Sequence, residues 1–244
     1  MEHIISVTLY GILAGVVGTA IGGIIAVVIK RINNKYFGLI MEFSAGLMIA
    51  IVCFDLLPTA LELGNIAVNL IGIIAGLLLA LILEEKIKYS ELLSSKNPGI
   101  ATGILLIAAV TAHNFPEGLA IGTGFEASFG LGISIVIVMI VHNIPEGLTI
   151  AMPFKKAGVK PFMIILITAL TGLPIGIGAF VGACIGNINP NIIAFCLSLA
   201  GGAMLYVTFG DLLPQAKKAY DTRLSTVMSI IGIVVGLLLT MFLE

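Results

Sequence analysis

Two seven-residue stretches hold the side chains best suited to chemistry: His113-Asn114-Phe115-Pro116-Glu117-Gly118-Leu119 and His142-Asn143-Ile144-Pro145-Glu146-Gly147-Leu148. The chain has three histidines, and two of them stand here. In each stretch the histidine and the glutamate are four residues apart, the spacing that sets two side chains on one face of a helix, one turn from each other. If the stretches lie on antiparallel helices whose turn is centred near Phe129 and Gly130, His113 comes level with Glu146, and Glu117 with His142. Four ligands then converge on one point. Two imidazoles and two carboxylates form a set that suits zinc and is compatible with iron(II), manganese, cobalt or cadmium.

The prolines explain the rest of the spacing. Pro116 has no N–H for the carbonyl of Ala112, and Pro145 none for that of Val141. Each ring also crowds the preceding turn, so both helices are expected to kink and to bare polar backbone beside the ligands. Gly118 and Gly147 permit close helix approach.

The elements that must position these residues follow from composition. Of 244 residues, 59% are hydrophobic and 10% charged, against about a quarter charged in an ordinary soluble domain. Mean hydropathy is +1.18. A soluble enzyme is excluded, and lipid must solvate much of the chain. The net charge of -1, with no basic patch of interleaved aromatics, gives no reason to expect a nucleic acid partner. Cys53, Cys184 and Cys196 sit in apolar runs without a CxxC, and are expected to be small core residues.

Apolar segments of about 20 residues, enough to cross a bilayer, are read at 4–29, 38–60, 66–83, 99–121, 130–152, 161–186, 192–214 and 225–243. This predicts an all-α, polytopic membrane protein with eight transmembrane helices, residues 1–244 forming a single transmembrane domain. Only Glu2 and His3 precede the first apolar run. It therefore lacks the basic start of a signal peptide and is kept as a span. All twelve basic residues fall after the odd-numbered spans 1, 3, 5 and 7. Since Lys and Arg mark cytoplasmic loops, both termini are expected outside the cytoplasm, in the cell membrane.

The sequence also repeats. Asp55-Leu56-Leu57-Pro58 recurs as Asp211-Leu212-Leu213-Pro214, and Ile71-Gly72-Ile73 with Gly76-Leu77-Leu78-Leu79 recurs as Ile231-Gly232-Ile233 with Gly236-Leu237-Leu238-Leu239. Spans 1–3 (residues 1–83) thus echo spans 6–8 (residues 161–244). The central hairpin, residues 99–152, lies between them. Two intervening spans invert the second copy, giving a 3+2+3 inverted repeat, an architecture of secondary transporters with midplane sites. Pairs of small residues at Gly18/Gly22, Gly72/Gly76, Gly178/Gly182 and Gly232/Gly236 supply surfaces for close helix packing.

HNFPEG followed by HNIPEG, within eight apolar spans and beside the Asp-Leu-Leu-Pro segments, resembles the ZIP (Zrt/Irt-like protein) family of divalent metal transporters, in its prokaryotic form. The resemblance implies uptake of zinc, iron and related ions toward the cytoplasm, a primary site of His113, Glu117, His142 and Glu146, and a homodimer. It also implies a second, bridged metal position that adds Asn114, Asn143 and a glutamate just before the proline of span 6. Here that place is Leu173, before Pro174, so one metal is expected, with the asparagines only as secondary contacts. The metal is cargo, and no catalytic cofactor is expected.

Energetics support a bound cation. One ionised carboxylate at a helix centre costs about 2.5–3.5 kcal/mol on insertion scales, and this hairpin carries two. A divalent ion would neutralise both. The empty site is expected to hold protons and release them as the ion binds, so that acid weakens binding. Asp55, toward the outer end of its span, and Asp211, toward the inner end of its span, are either steps on the ion pathway or carboxylates satisfied by backbone donors at proline-disturbed helix ends. Glu42, Glu62 and Glu126 are expected to be interfacial or loop charges. Met48 and Met204 are read as packing rather than soft ligands. The alternative is an intramembrane metalloenzyme built on the same ligands. An H-E-x-x-H protease needs a glutamate directly after its first histidine, where Asn114 and Asn143 stand.

Overall fold

The computed structural model describes residues 2–29, 33–88, 98–186 and 189–243. Among them there is α-helix and no strand. The helices are α1 (Glu2–Val28), α2 (Asn34–Ile51), α3 (Leu57–Leu63), α4 (Ile66–Lys88), α5 (Pro98–Ala127), α6 (Phe129–Lys156), α7 (Pro161–Thr171), α8 (Leu173–Gly186), α9 (Pro190–Val207), α10 (Leu213–Ala219) and α11 (Arg223–Leu243). Seven helical stretches among the described residues are long and apolar enough to span a membrane, which makes this a multi-pass membrane protein. They are α1, α2–α3, α4, α6, α7–α8, α9–α10 and α11. The remaining segment read as a span forms α5, 30 residues long.

The repeated Asp-Leu-Leu-Pro segments do not end their helices as expected. Five-residue π turns, Val52–Leu56 and Thr208–Leu212, join α2 to α3 and α9 to α10. Leu57 N–H donates to the Val52 carbonyl, and Leu213 N–H to that of Thr208, one residue further back than in an α-helix. The extra residue makes room for the rings of Pro58 and Pro214, so the helix widens instead of breaking. Asp55 and Asp211 each lie inside such a turn, which corrects the picture of a carboxylate at a helix end.

Span 6 does break. Ile175 N–H reaches the Gly172 carbonyl at 3.2 Å, three residues back, and so leaves the carbonyl of Thr171 open to a side chain. By contrast, Pro116 and Pro145 lie inside continuous helices.

Packing divides the helices into two groups. α1, α5, α6, α7 and α8 pack on one another, and α4 packs on α9 as α2 packs on α11. The groups meet where α5 lies along α9 and α2 touches α6. Lipid-solvated helices gain little from burying apolar area, so dispersion between close backbones must hold each pair. At four interfaces glycines provide that approach reciprocally. A Cβ on Gly22 would strike the Ile144 carbonyl, and one on Gly147 that of Thr19, between α1 and α6. Gly118 faces Ile175 while Gly178 faces Phe115 between α5 and α8. Gly76 meets Leu199 and Gly202 meets Ile73 between α4 and α9; Gly46 meets Ser229 and Gly232 meets Phe43 between α2 and α11. The expected small-residue pairs all fall on these four seams.

Three placements differ from the sequence expectation. Glu42 is buried, at 2% exposure, and accepts a hydrogen bond from Ser229 of α11. A serine one helix away lets the carboxylate sit inside an apolar run. Cys53 and Cys184 are exposed, and only Cys196 is buried; in a bilayer protein an apolar run has an outer face on lipid, so hydropathy does not distinguish the two positions. Met48 and Met204 are buried in the core as expected. Glu126 pairs with His3 at 2.8 Å.

Candidate metal centre

α5 and α6 form the expected hairpin, joined through Ser128, whose side chain accepts from Leu131 N–H and starts α6. Four-residue spacing then places His142 and Glu146 together: His142 Nε2 lies 2.9 Å from Glu146 Oε1. From the facing helix Glu117 brings its Oε1 to 3.6 Å from the same nitrogen. One ligand atom from each of Glu117, His142 and Glu146 lies within 4.8 Å of the others. All three residues are buried, at 0%, 0% and 4% exposure. Two carboxylates and an imidazole this close, in so dry a place, repel or share protons unless a cation joins them. The fourth residue, His113, sits on α5 one turn before Glu117; its side chain lies outside the described residues.

The asparagines next to the histidines hold the hairpin to its neighbours. Asn114 Nδ2 donates to the freed Thr171 carbonyl at 2.7 Å, where α7 ends. Asn143 Nδ2 makes a longer contact, 3.5 Å, with the Ala14 carbonyl of α1. Their amide oxygens have no hydrogen-bond partner among the described residues. Each asparagine therefore spends its donor on structure and keeps its acceptor. Leu173, where the resemblance implies a glutamate, is 39% exposed at the start of α8.

Sequence reasoning missed Ser44. This buried α2 serine lies 2.9 Å, oxygen to nitrogen, from His142 Nδ1, and so reaches the back of the imidazole from 98 residues away. Nothing in its sequence context distinguishes it from other small polar residues of an apolar helix. The neighbouring tie, Thr149 O–H to Met41 Sδ at 3.4 Å, also joins α6 to α2.

Asp55 and Asp211 border two different crevices. Glu146, Thr149, Asp211, Gln215 and Met41 line one of them, so the centre itself opens toward Asp211. Asp55, Thr59, Glu62, Ser128 and Gly130 line the other, beside the turn of the hairpin.

Known proteins are similar to this chain in sequence. A family model described as "ZIP Zinc transporter" matches residues 84–244. A zinc transporter ZupT from Campylobacter jejuni is 32% identical over 282 aligned positions, covering 97% of this chain and 94% of that one. One from Clostridium perfringens is 30% identical over 271 positions, covering 96% and 95%. A third, from Streptococcus mutans, is 28% identical over 142 positions, covering 49% of this chain and 52% of its own. Two full-length similarities, a family match over most of the chain and the paired motifs all point the same way: the chain belongs to the ZIP family, a family of metal transporters and not of enzymes.

Proposed function

We propose that this protein carries a divalent transition metal ion, zinc foremost, across the cell membrane toward the cytoplasm, through one site formed by His113, Glu117, His142 and Glu146. The observation that carries the reading is the meeting of Glu117, His142 and Glu146 within 4.8 Å, fully inside the apolar interior. The cation is cargo: it neutralises the carboxylates while bound and leaves them to protons when it departs. A single ion is favoured because Leu173, apolar and 39% exposed, offers no charge for a second. The relatives named zinc transporters favour zinc over the other ions the ligand set would accept.

In this reading the chain crosses the membrane eight times, α5 included, with residues 1–83 and 161–244 as inverted copies around the hairpin 99–152. The reciprocal glycine seams support it, since α1 on α6 mirrors α8 on α5 and α4 on α9 mirrors α11 on α2. Lys155 and Lys156 close α6, and Lys217 and Lys218 close α10, so the crevice holding Asp211 and Gln215 is the cytoplasmic exit. Asp55 then marks the outer approach. Movement of the α1/α5/α6/α7/α8 group against the other would expose the centre alternately to the two crevices.

Uptake of zinc into proteoliposomes tests the function. The reading expects metal-dependent accumulation by the native protein that falls at least about a hundredfold in Glu117→Ala and Glu146→Ala, the loss of a charged ligand from a buried site being severe. Turnover of a substrate without flux would replace it with the enzyme alternative.

A further inference from the structure

We propose that Ser44 is a positioning residue for the metal centre, its hydroxyl fixing the orientation of His142 and tying the centre to the helix group that does not contain it. The inference rests on the metal-centre reading given above.

The two ring nitrogens of His142 face different partners. Nε2 points at Glu146 and Glu117, at 2.9 and 3.6 Å, and is the nitrogen that would meet a metal. Nδ1 points away from the carboxylates to Ser44 Oγ, at 2.9 Å. A neutral imidazole that ligates through Nε2 carries its proton on Nδ1, and that N–H needs an acceptor. Ser44 supplies one. Before the ion arrives, Nε2–H can donate to Glu146, leaving a lone pair on Nδ1 that the Ser44 O–H satisfies. A hydroxyl rotates to donate or accept, so one residue serves both states without moving a backbone atom. An alanine would leave a buried imidazole nitrogen unsatisfied in either state.

The location of the contact gives it a second consequence. Ser44 is on α2 and 1% exposed; His142 is on α6 and 0% exposed. The hydrogen bond therefore crosses between the two packing groups, next to the Thr149–Met41 tie. A displacement of α6 along α2 breaks it, so the grip on the ion is firmest in the register seen here and loosens as the groups slide apart.

The test measures Zn²⁺ affinity by calorimetry, and the visible spectrum of bound Co²⁺, on the purified full chain and two variants. Ser44→Ala is expected to weaken Zn²⁺ binding about tenfold or more, the usual cost of removing the partner of a ligating histidine, and to change the Co²⁺ spectrum. Ser44→Thr keeps the hydroxyl and is expected to stay within about threefold of the native affinity with a native spectrum. Native affinity in Ser44→Ala would overturn the inference. So would an equal loss in Ser44→Thr, which would assign the effect to shape instead of the hydroxyl. Native protein whose Zn²⁺ binding is absent, or indifferent to Glu117→Ala and Glu146→Ala, would instead overturn the metal-centre reading itself, and this inference with it.

Discussion

Glu117 and His142 meet across the hairpin, carboxylate oxygen to imidazole nitrogen at 3.6 Å, though they stand on different helices. The pairing is the one that two stretches of equal register on antiparallel helices must give. It brings Glu117, His142 and Glu146 into one centre, and several measurable properties follow.

Protons and metal compete for the same atoms. Imidazole with an ordinary pKa of about 6.5 is a ligand only when neutral, and a carboxylate only when ionised. Zn²⁺ binding should therefore release protons, seen as a calorimetric heat that varies with the ionisation enthalpy of the buffer. Affinity should fall at least about tenfold between pH 7 and 5.5. Affinity that stays flat over this interval would contradict a His/Glu centre.

The two asparagines should not be equivalent. Asn114 makes a 2.7 Å bond to Thr171, the carbonyl freed where α7 stops, whereas the Asn143 contact with Ala14 is 3.5 Å. Asn114→Ala should lower thermal stability by about 1–3 kcal/mol, the cost of leaving a buried carbonyl unsatisfied. Asn143→Ala should cost clearly less. Thermal unfolding of the two variants in detergent, followed side by side, checks the order.

Close backbone contact holds α1 to α6. Gly147→Val places a branched side chain against the Thr19 carbonyl and should destabilise by about 3 kcal/mol or more, since neither backbone can retreat alone. Gly210→Ala is the control: a Cβ there comes no nearer than 3.7 Å to Tyr206. Its unfolding temperature should match the native one.

Orientation is tested by labelling. After replacement of Cys53, Cys184 and Cys196, a single cysteine at Asp221, between α10 and α11, should react only with reagent on the cytoplasmic side. One at Asn65, between α3 and α4, should react only from outside. The reverse pattern would invert the proposed route, with Asp55 at the exit.

Much of this was legible in the residues because hydropathy and ligand spacing are local properties. Four-residue spacing placed Glu146 beside His142, and matched offsets placed Glu117 opposite. Local break signals were less dependable. Pro174 ends a helix, while Pro58 and Pro214 are absorbed by π turns and Pro116 and Pro145 by continuous helix. The outcome depends on whether an extra residue or a neighbouring side chain can take over the freed carbonyls, which no sequence window contains. The burial of Glu42 has the same non-local cause: its partner Ser229 is 187 residues away. Ser44 was invisible because a hydrogen bond to the back of an imidazole leaves no spacing pattern.

Anomalous diffraction from crystals soaked in Zn²⁺ or Cd²⁺ addresses the central claim most directly. One peak is predicted within coordination distance of Glu117, His142 and Glu146, completed by His113, with no second peak beside Leu173. Well-ordered crystals that show no density among these side chains, at metal concentrations that saturate uptake, would contradict the account.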